Sequence, residues 1–126
     1  MILIIDGDAA AGASLERVLR YRGLKAIAVQ NGMEALSLLD IRVPKAIVMD
    51  LHMTGMDGLI FLHAVRTSAK FAAVPIIVYT SVFADETRRS ALQAGAQDFI
   101  VKGTVGWEAL VERIRTAVGD LPEPPL

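Results

Sequence analysis

A chain of 126 residues with no cysteine and a net charge of −1 is the size of one ordinary domain and has neither a disulfide framework nor a thiolate metal site. Its 13 basic and 14 acidic residues are scattered, which excludes the dense basic footprint of a nucleic-acid binder. The hydrophobic content is 53%, yet no apolar run nears the ~18 residues of a membrane span, so a sheet buried on both faces is the better reading.

Met1 to Ile5 run straight into Asp6, with no basic region or cleavage site of a secretory signal. With the absence of cysteine, this leads to the expectation of a cytoplasmic protein. Ile2 to Ile5 read as a buried first strand, ending in Asp6-Gly7-Asp8. Leu15, Val18 and Leu19 then form a helical stripe, and Gly23 sits where a C-cap glycine belongs. Residues 25–29 are a second strand. Asn31 can cap a second helix striped by Ala35, Leu36 and Leu39.

Ala46 to Met49 are a third strand ending in Asp50. Beyond it, Asp57-Gly58 start a helix containing Leu62 and Val65. Residues 75–79 are a fourth strand, ending in Thr80-Ser81, followed by a helix with Ala91, Leu92 and a terminal Gly95. Residues 99–101 are a fifth strand, ending in Lys102-Gly103, and Leu110, Val111, Ile114 and Val118 stripe a last helix. The expected division is a domain over 1–119 and a flexible proline-rich tail over 120–126.

Five βα units give an α/β fold, a doubly wound parallel sheet with helices on both faces. The common order 2-1-3-4-5 gathers the polar strand ends at one edge. Strands 1 and 3 are then neighbours, so Asp6 and Asp50 face one crevice. Two such carboxylates raise each other's pKa unless a cation intervenes. A hard divalent ion with oxygen ligands suits them. With a lysine and a hydroxyl added, the site can hold a phosphoryl group beside a metal.

The stretch Ile47-Val48-Met49-Asp50-Leu51-His52-Met53-Thr54-Gly55-Met56-Asp57-Gly58 resembles the phosphoacceptor segment of response-regulator receiver domains. Ile76-Ile77-Val78-Tyr79-Thr80-Ser81 resembles their fourth strand and Gly95-Ala96-Gln97-Asp98-Phe99-Ile100-Val101-Lys102 their fifth, and the likeness spans residues 1–119. The resemblance implies that Asp50 accepts a phosphoryl group from a sensor histidine kinase or phosphotransfer protein. It implies Mg²⁺ held by Asp6, Asp50 and the His52 backbone carbonyl. Thr80 would bond a phosphoryl oxygen and Lys102 would pair with the acyl phosphate. The Phe99 ring would move inward as Thr80 moves, changing the helix 4–strand 5–helix 5 face for a downstream protein. Monomer and weak homodimer both fit such a domain, with neither membrane nor nucleic acid as a direct partner.

Three positions depart from the family pattern. Gly7 stands where a second acid is a direct metal ligand, which predicts weaker Mg²⁺ binding. Asp8, one residue on, is either a water-mediated metal ligand or the N-cap of the first helix. Gly103 replaces a proline with a cis bond, which predicts a trans bond and a less fixed Lys102. Thr54 replaces a common proline, which predicts a looser loop. Phe99 is read as switch or packed core, and Trp107 as packing anchor or partner surface.

Gly7 motivates a second expectation, a pseudo-receiver that binds partners without phosphorylation. A third comes from Ile4-Ile5-Asp6-Gly7-Asp8, which resembles the first motif of haloacid-dehalogenase-type phosphatases, with Asp6 as nucleophile. That family needs an acidic motif after its lysine, and only Glu108 and Glu112 follow soon after Lys102.

Overall fold

The computed structural model describes residues 1–53 and 55–119. Thr54 and the tail 120–126 lie outside the described residues, and with them the expectations placed there. The elements run β1 (Ile2–Ile5), α1 (Ala9–Tyr21), β2 (Ala26–Val29), α2 (Gly32–Leu39), β3 (Ala46–Met49), α3 (Gly58–Thr67), β4 (Ile76–Thr80), α4 (Asp85–Ala94), β5 (Asp98–Val101) and α5 (Trp107–Val118). A 3₁₀ turn, Ala69–Phe71, which the apolar pattern did not announce, lies between α3 and β4. All pairings are parallel, in the expected order β2-β1-β3-β4-β5.

The strands lack polar alternation because both faces of the sheet are covered. Leu3, Ile5, Ile47, Met49, Ile76, Val78 and Phe99 pack under α2, α3 and α4 against Ala35, Leu39, Phe61, Leu62, Val65 and Ala91. On the opposite face, Ile2, Ile4, Val48, Ile77 and Ile100 meet Leu15 and Leu19 of α1 and Leu110, Val111 and Ile114 of α5. Each large apolar side chain so buried contributes roughly 1.5–3 kcal/mol relative to exposure.

Two stripe residues turn outward. Leu36 and Leu92 are 38% and 39% exposed, because Ala35 with Leu39 and Ala91 set the buried faces and the next residue lies about 100° round the helix. The expected caps at Asn31 and Asp57 form, accepting from Glu34 N–H and from Leu59 and Ile60 N–H. Gly95 closes α4 at φ +115°, a conformation side chains resist. The Arg66 side chain runs through the space a Cβ there would take, and its guanidinium donates to the carbonyls of Gly95, Phe71, Ala72 and Val74.

Candidate functional site

Strand period fixes which side chains reach the carboxyl edge. Asp6 continues the face of Ile2 and Ile4, and Asp50 that of Ala46 and Val48, so both rise on the side covered by α1 and α5. The register Ile5↔Met49 makes them neighbours, and Asp50 N–H donates to the Ile5 carbonyl at 2.8 Å. Both carboxylates are buried, at 6% and 5% exposure.

The cation that carboxylates this close require is supplied by Lys102. Its Nζ lies 2.6 Å from Asp6 Oδ2 and 2.8 Å from Asp50 Oδ2. Burial works against the Asp50 charge, but the bonds from the Lys102 ammonium, the His52 N–H and the Thr80 hydroxyl outweigh it and hold its pKa below 3.8. Burial likewise pulls on Lys102, and its bonds to Asp50 and Asp6 hold its pKa above 10.5. The described residues contain no cis peptide bond, so Lys102–Gly103 is trans as expected. Two carboxylates bond the Lys102 ammonium, and its backbone N–H donates to the Thr80 carbonyl at 2.8 Å.

The loops finish the cleft. Asp6 Oδ1 accepts from Asp8 N–H at 2.9 Å, and Asp50 Oδ1 from His52 N–H at 3.0 Å. The His52 side chain is exposed, while its carbonyl accepts from Gly7 N–H at 3.3 Å. Asp8 takes the cap role: its Oδ1 accepts from Ala10 and Ala11 N–H at the start of α1. Among the described residues no group of three or more His, Cys, Asp or Glu gathers to hold a metal. Asp6, Asp50 and the His52 carbonyl offer oxygen donors at the cleft, while the Asp8 carboxylate, which also lines it, is engaged in capping α1. The first three are hard oxygen donors that fit a divalent ion completed by water, one acid short of the family pattern.

The open cleft, about 460 Å³, is lined by Asp6, Gly7, Asp8, Asp50, His52, Met53, Ser81 and Lys102. Thr80 ends β4 with its side chain fully buried, and its Oγ1 accepts from Val82 N–H at 3.3 Å. Phe99 packs on the α3–α4 side, opposite Val78 in register, at 7% exposure. The ring is already inside, so the inward movement implied by the resemblance has little distance left to cover. Trp107 begins α5 and is 44% exposed. Motif reading passed over Tyr79. Its ring faces the Lys102 ammonium at 5.6 Å, and its strand parity, shared with Ile77, was the signal that could have found it.

The family model of the response regulator receiver domain matches residues 2–115. The chain is a member of the receiver domain family. The receiver is 37% identical over 114 residues to the transcriptional regulatory protein PrrA of Mycobacterium tuberculosis, covering 90% of this chain and 48% of that protein. It thus spans about half the length of the curated relatives it matches. A response regulator receiver domain protein (CheY-like) from Methanospirillum hungatei superposes with a TM-score of 0.86 at 24% identity, over 94% of this chain and 93% of that one, which speaks for the fold. The receiver domain of sensor histidine kinase PA1611 from Pseudomonas aeruginosa, with a magnesium ion coordinated in its active site cleft, matches at TM-score 0.83 and 25% identity, over 94% and 96% of the two chains.

Receiver domains are signalling domains rather than conventional enzymes. Of the two acids that the phosphatase reading would need, Glu108 pairs with Arg22 at 3.1 Å, and both it and Glu112 lie on α5 and not among the residues lining the cleft. No described helix is long and apolar enough to cross a membrane.

Proposed function

We propose that this receiver is a phosphorylation-dependent switch whose acceptor is Asp50. The observation that carries the reading is the ionised Asp50 at the end of β3, beside an open polar cleft, with the Lys102 ammonium 2.8 Å from its Oδ2. A carboxylate oxygen of Asp50 attacks the phosphorus of a phosphohistidine on a sensor kinase or phosphotransfer protein. The N–P bond breaks, the electron pair leaves with the imidazole, and an acyl phosphate forms. Lys102 offsets the added negative charge, and Thr80 donates its hydroxyl to a phosphoryl oxygen. Asp6, Asp50 and the His52 carbonyl would hold Mg²⁺, which when bound supplies charge neutralisation at the phosphoryl oxygens. With Gly7 in place of an acid, that affinity is low.

Thr80 and Phe99 occupy the same face of the sheet, toward α3 and α4. Reorientation of Thr80 repacks the buried Phe99 ring rather than burying an exposed one, and the change reaches the α4–β5–α5 face. That surface meets a downstream protein, with the receiver as monomer or weak homodimer, in the cytoplasm, and without direct contact to nucleic acid or membrane.

A second reading is favoured by the contact between Gly7 and the His52 carbonyl: a pseudo-receiver that binds its partner without phosphorylation. One experiment separates the two. The receiver is incubated with Mg²⁺ and acetyl phosphate, then with beryllofluoride, and followed by intact mass and two-dimensional NMR. A single phosphoryl adduct, absent in Asp50→Asn, with shifts around Thr80 and Phe99, is the expected result. No adduct and no shifts at millimolar donor and metal would leave the binding-module reading.

A further inference from the structure

Four side chains on one face of the sheet converge at its carboxyl edge. Asp6, Asp50 and Lys102 are three of them, and Tyr79 is the fourth. β4 sends Val78 and Thr80 to the α3–α4 face and Ile77 and Tyr79 to the α1–α5 face. Tyr79 pairs with Ile100 in register, so it lies beside Lys102, two residues further on and on the same face. The ammonium stands 5.6 Å from the centre of the Tyr79 ring, within the ~6 Å over which a cation is drawn to an aromatic face. It bonds Asp6 and Asp50 from the same position. Burial raises the phenol pKa above 10.0, with Lys102 opposing and Asp6 adding, so the ring partner is neutral near pH 7.

Local sequence explains why such a support matters here. Lys102 is followed by Gly103 at φ +86°, a residue that restrains the backbone little. The cleft also lacks the acid that Gly7 replaces. Asp6, Asp50 and the Tyr79 ring surround the ammonium, and Tyr79 is the one of the three that carries no charge for a metal or phosphoryl group to compete over.

We propose that Tyr79 is a positioning residue: its ring face holds the Lys102 ammonium between Asp6 and Asp50 and so presets the cleft for a phosphoryl group. The last clause rests on the function proposed above. Tyr79 acts through Lys102 and touches neither the acceptor nor the phosphoryl group.

The test uses the whole chain as wild type, Tyr79→Phe and Tyr79→Met. NMR reads the side-chain methylene resonances of Lys102 in the free protein, and titration reads beryllofluoride affinity with Mg²⁺ present. Ring current is expected to place the Lys102 methylenes upfield of those of Lys25, which faces no ring among the described residues, while Lys70, 5.5 Å from the centre of the Phe71 ring, serves as a shifted control. Tyr79→Phe keeps that shift and the affinity. Tyr79→Met loses the shift and weakens beryllofluoride binding by about 3- to 10-fold, the scale of one cation–π contact. An unshifted Lys102 in wild type overturns the proposal, and needs no variant to fold. So does wild-type affinity in Tyr79→Met. If wild type binds no beryllofluoride, the phosphoryl reading falls by itself. The Lys102 shift then decides whether Tyr79 holds the ammonium.

Discussion

Gly7 N–H donates to the His52 carbonyl at 3.3 Å, and a Cβ on Gly7 would stand 2.7 Å from that same oxygen. The glycine therefore does more than omit an acid: it lets the β1–α1 and β3–α3 loops touch through their backbones. Gly7→Ala forces the carbonyl to move, since a backbone oxygen has no rotamer to escape into. The expected loss is about 1–3 kcal/mol, seen as a lower urea midpoint with an unchanged slope. A variant as stable as wild type would show that the loops separate freely.

Lys102 is the counter-charge of two buried carboxylates, so removing it leaves them facing each other. Lys102→Met is expected to cost about 1–3 kcal/mol at pH 7, below the range for fully buried pairs because the lysine is partly exposed. Adding Asp50→Asn abolishes the repulsion, because a single charge has no like-charged neighbour left. The double variant should recover most of the loss in a double-mutant cycle, and simple additivity would speak against the coupling.

The same pair sets the pH dependence. The folded pKa of Asp50 lies below its ordinary 3.8, so its contribution is complete above that value and is lost as pH falls through the lower folded pKa. Lys102 runs the other way. Its folded pKa lies above the ordinary 10.5, so its contribution is complete below that value and disappears as pH rises through the higher folded pKa. Thermal unfolding across pH should show both limbs in wild type. Asp50→Asn should flatten the acid limb.

Arg66 makes a further, purely structural prediction. It donates to four backbone carbonyls that join the end of α3, the 3₁₀ turn and the C-cap of α4. A lysine cannot reproduce that fork. Arg66→Lys should cost about 1–3 kcal/mol and speed amide exchange at Ala96 and Gln97, the junction between α4 and β5. Unchanged exchange there would refute the clamp.

The architecture was legible because it depends on local pattern. Short Ile- and Val-rich runs such as Ile2–Ile5 and Ala46–Met49, set between helical stripes, specify a two-sided parallel sheet. The strand-end positions of Asp6, Asp50, Thr80 and Lys102 followed from strand order, and the Asn31 and Asp57 caps from residues within four positions. The outward turn of Leu36 and Leu92 was not legible, because an apolar residue beside a stripe looks the same whichever way it points. Nor was the fixing of Lys102. The bond after it is trans, as Gly103 predicts, but its ammonium is set by Asp6 and Asp50, 96 and 52 residues away. The Gly7 contact with His52 and the placement of Tyr79 under Lys102 share that origin. Periodicity and capping act over a few residues and can be read from the chain. Charge pairing and close backbone approach act between residues that only the folded sheet brings together.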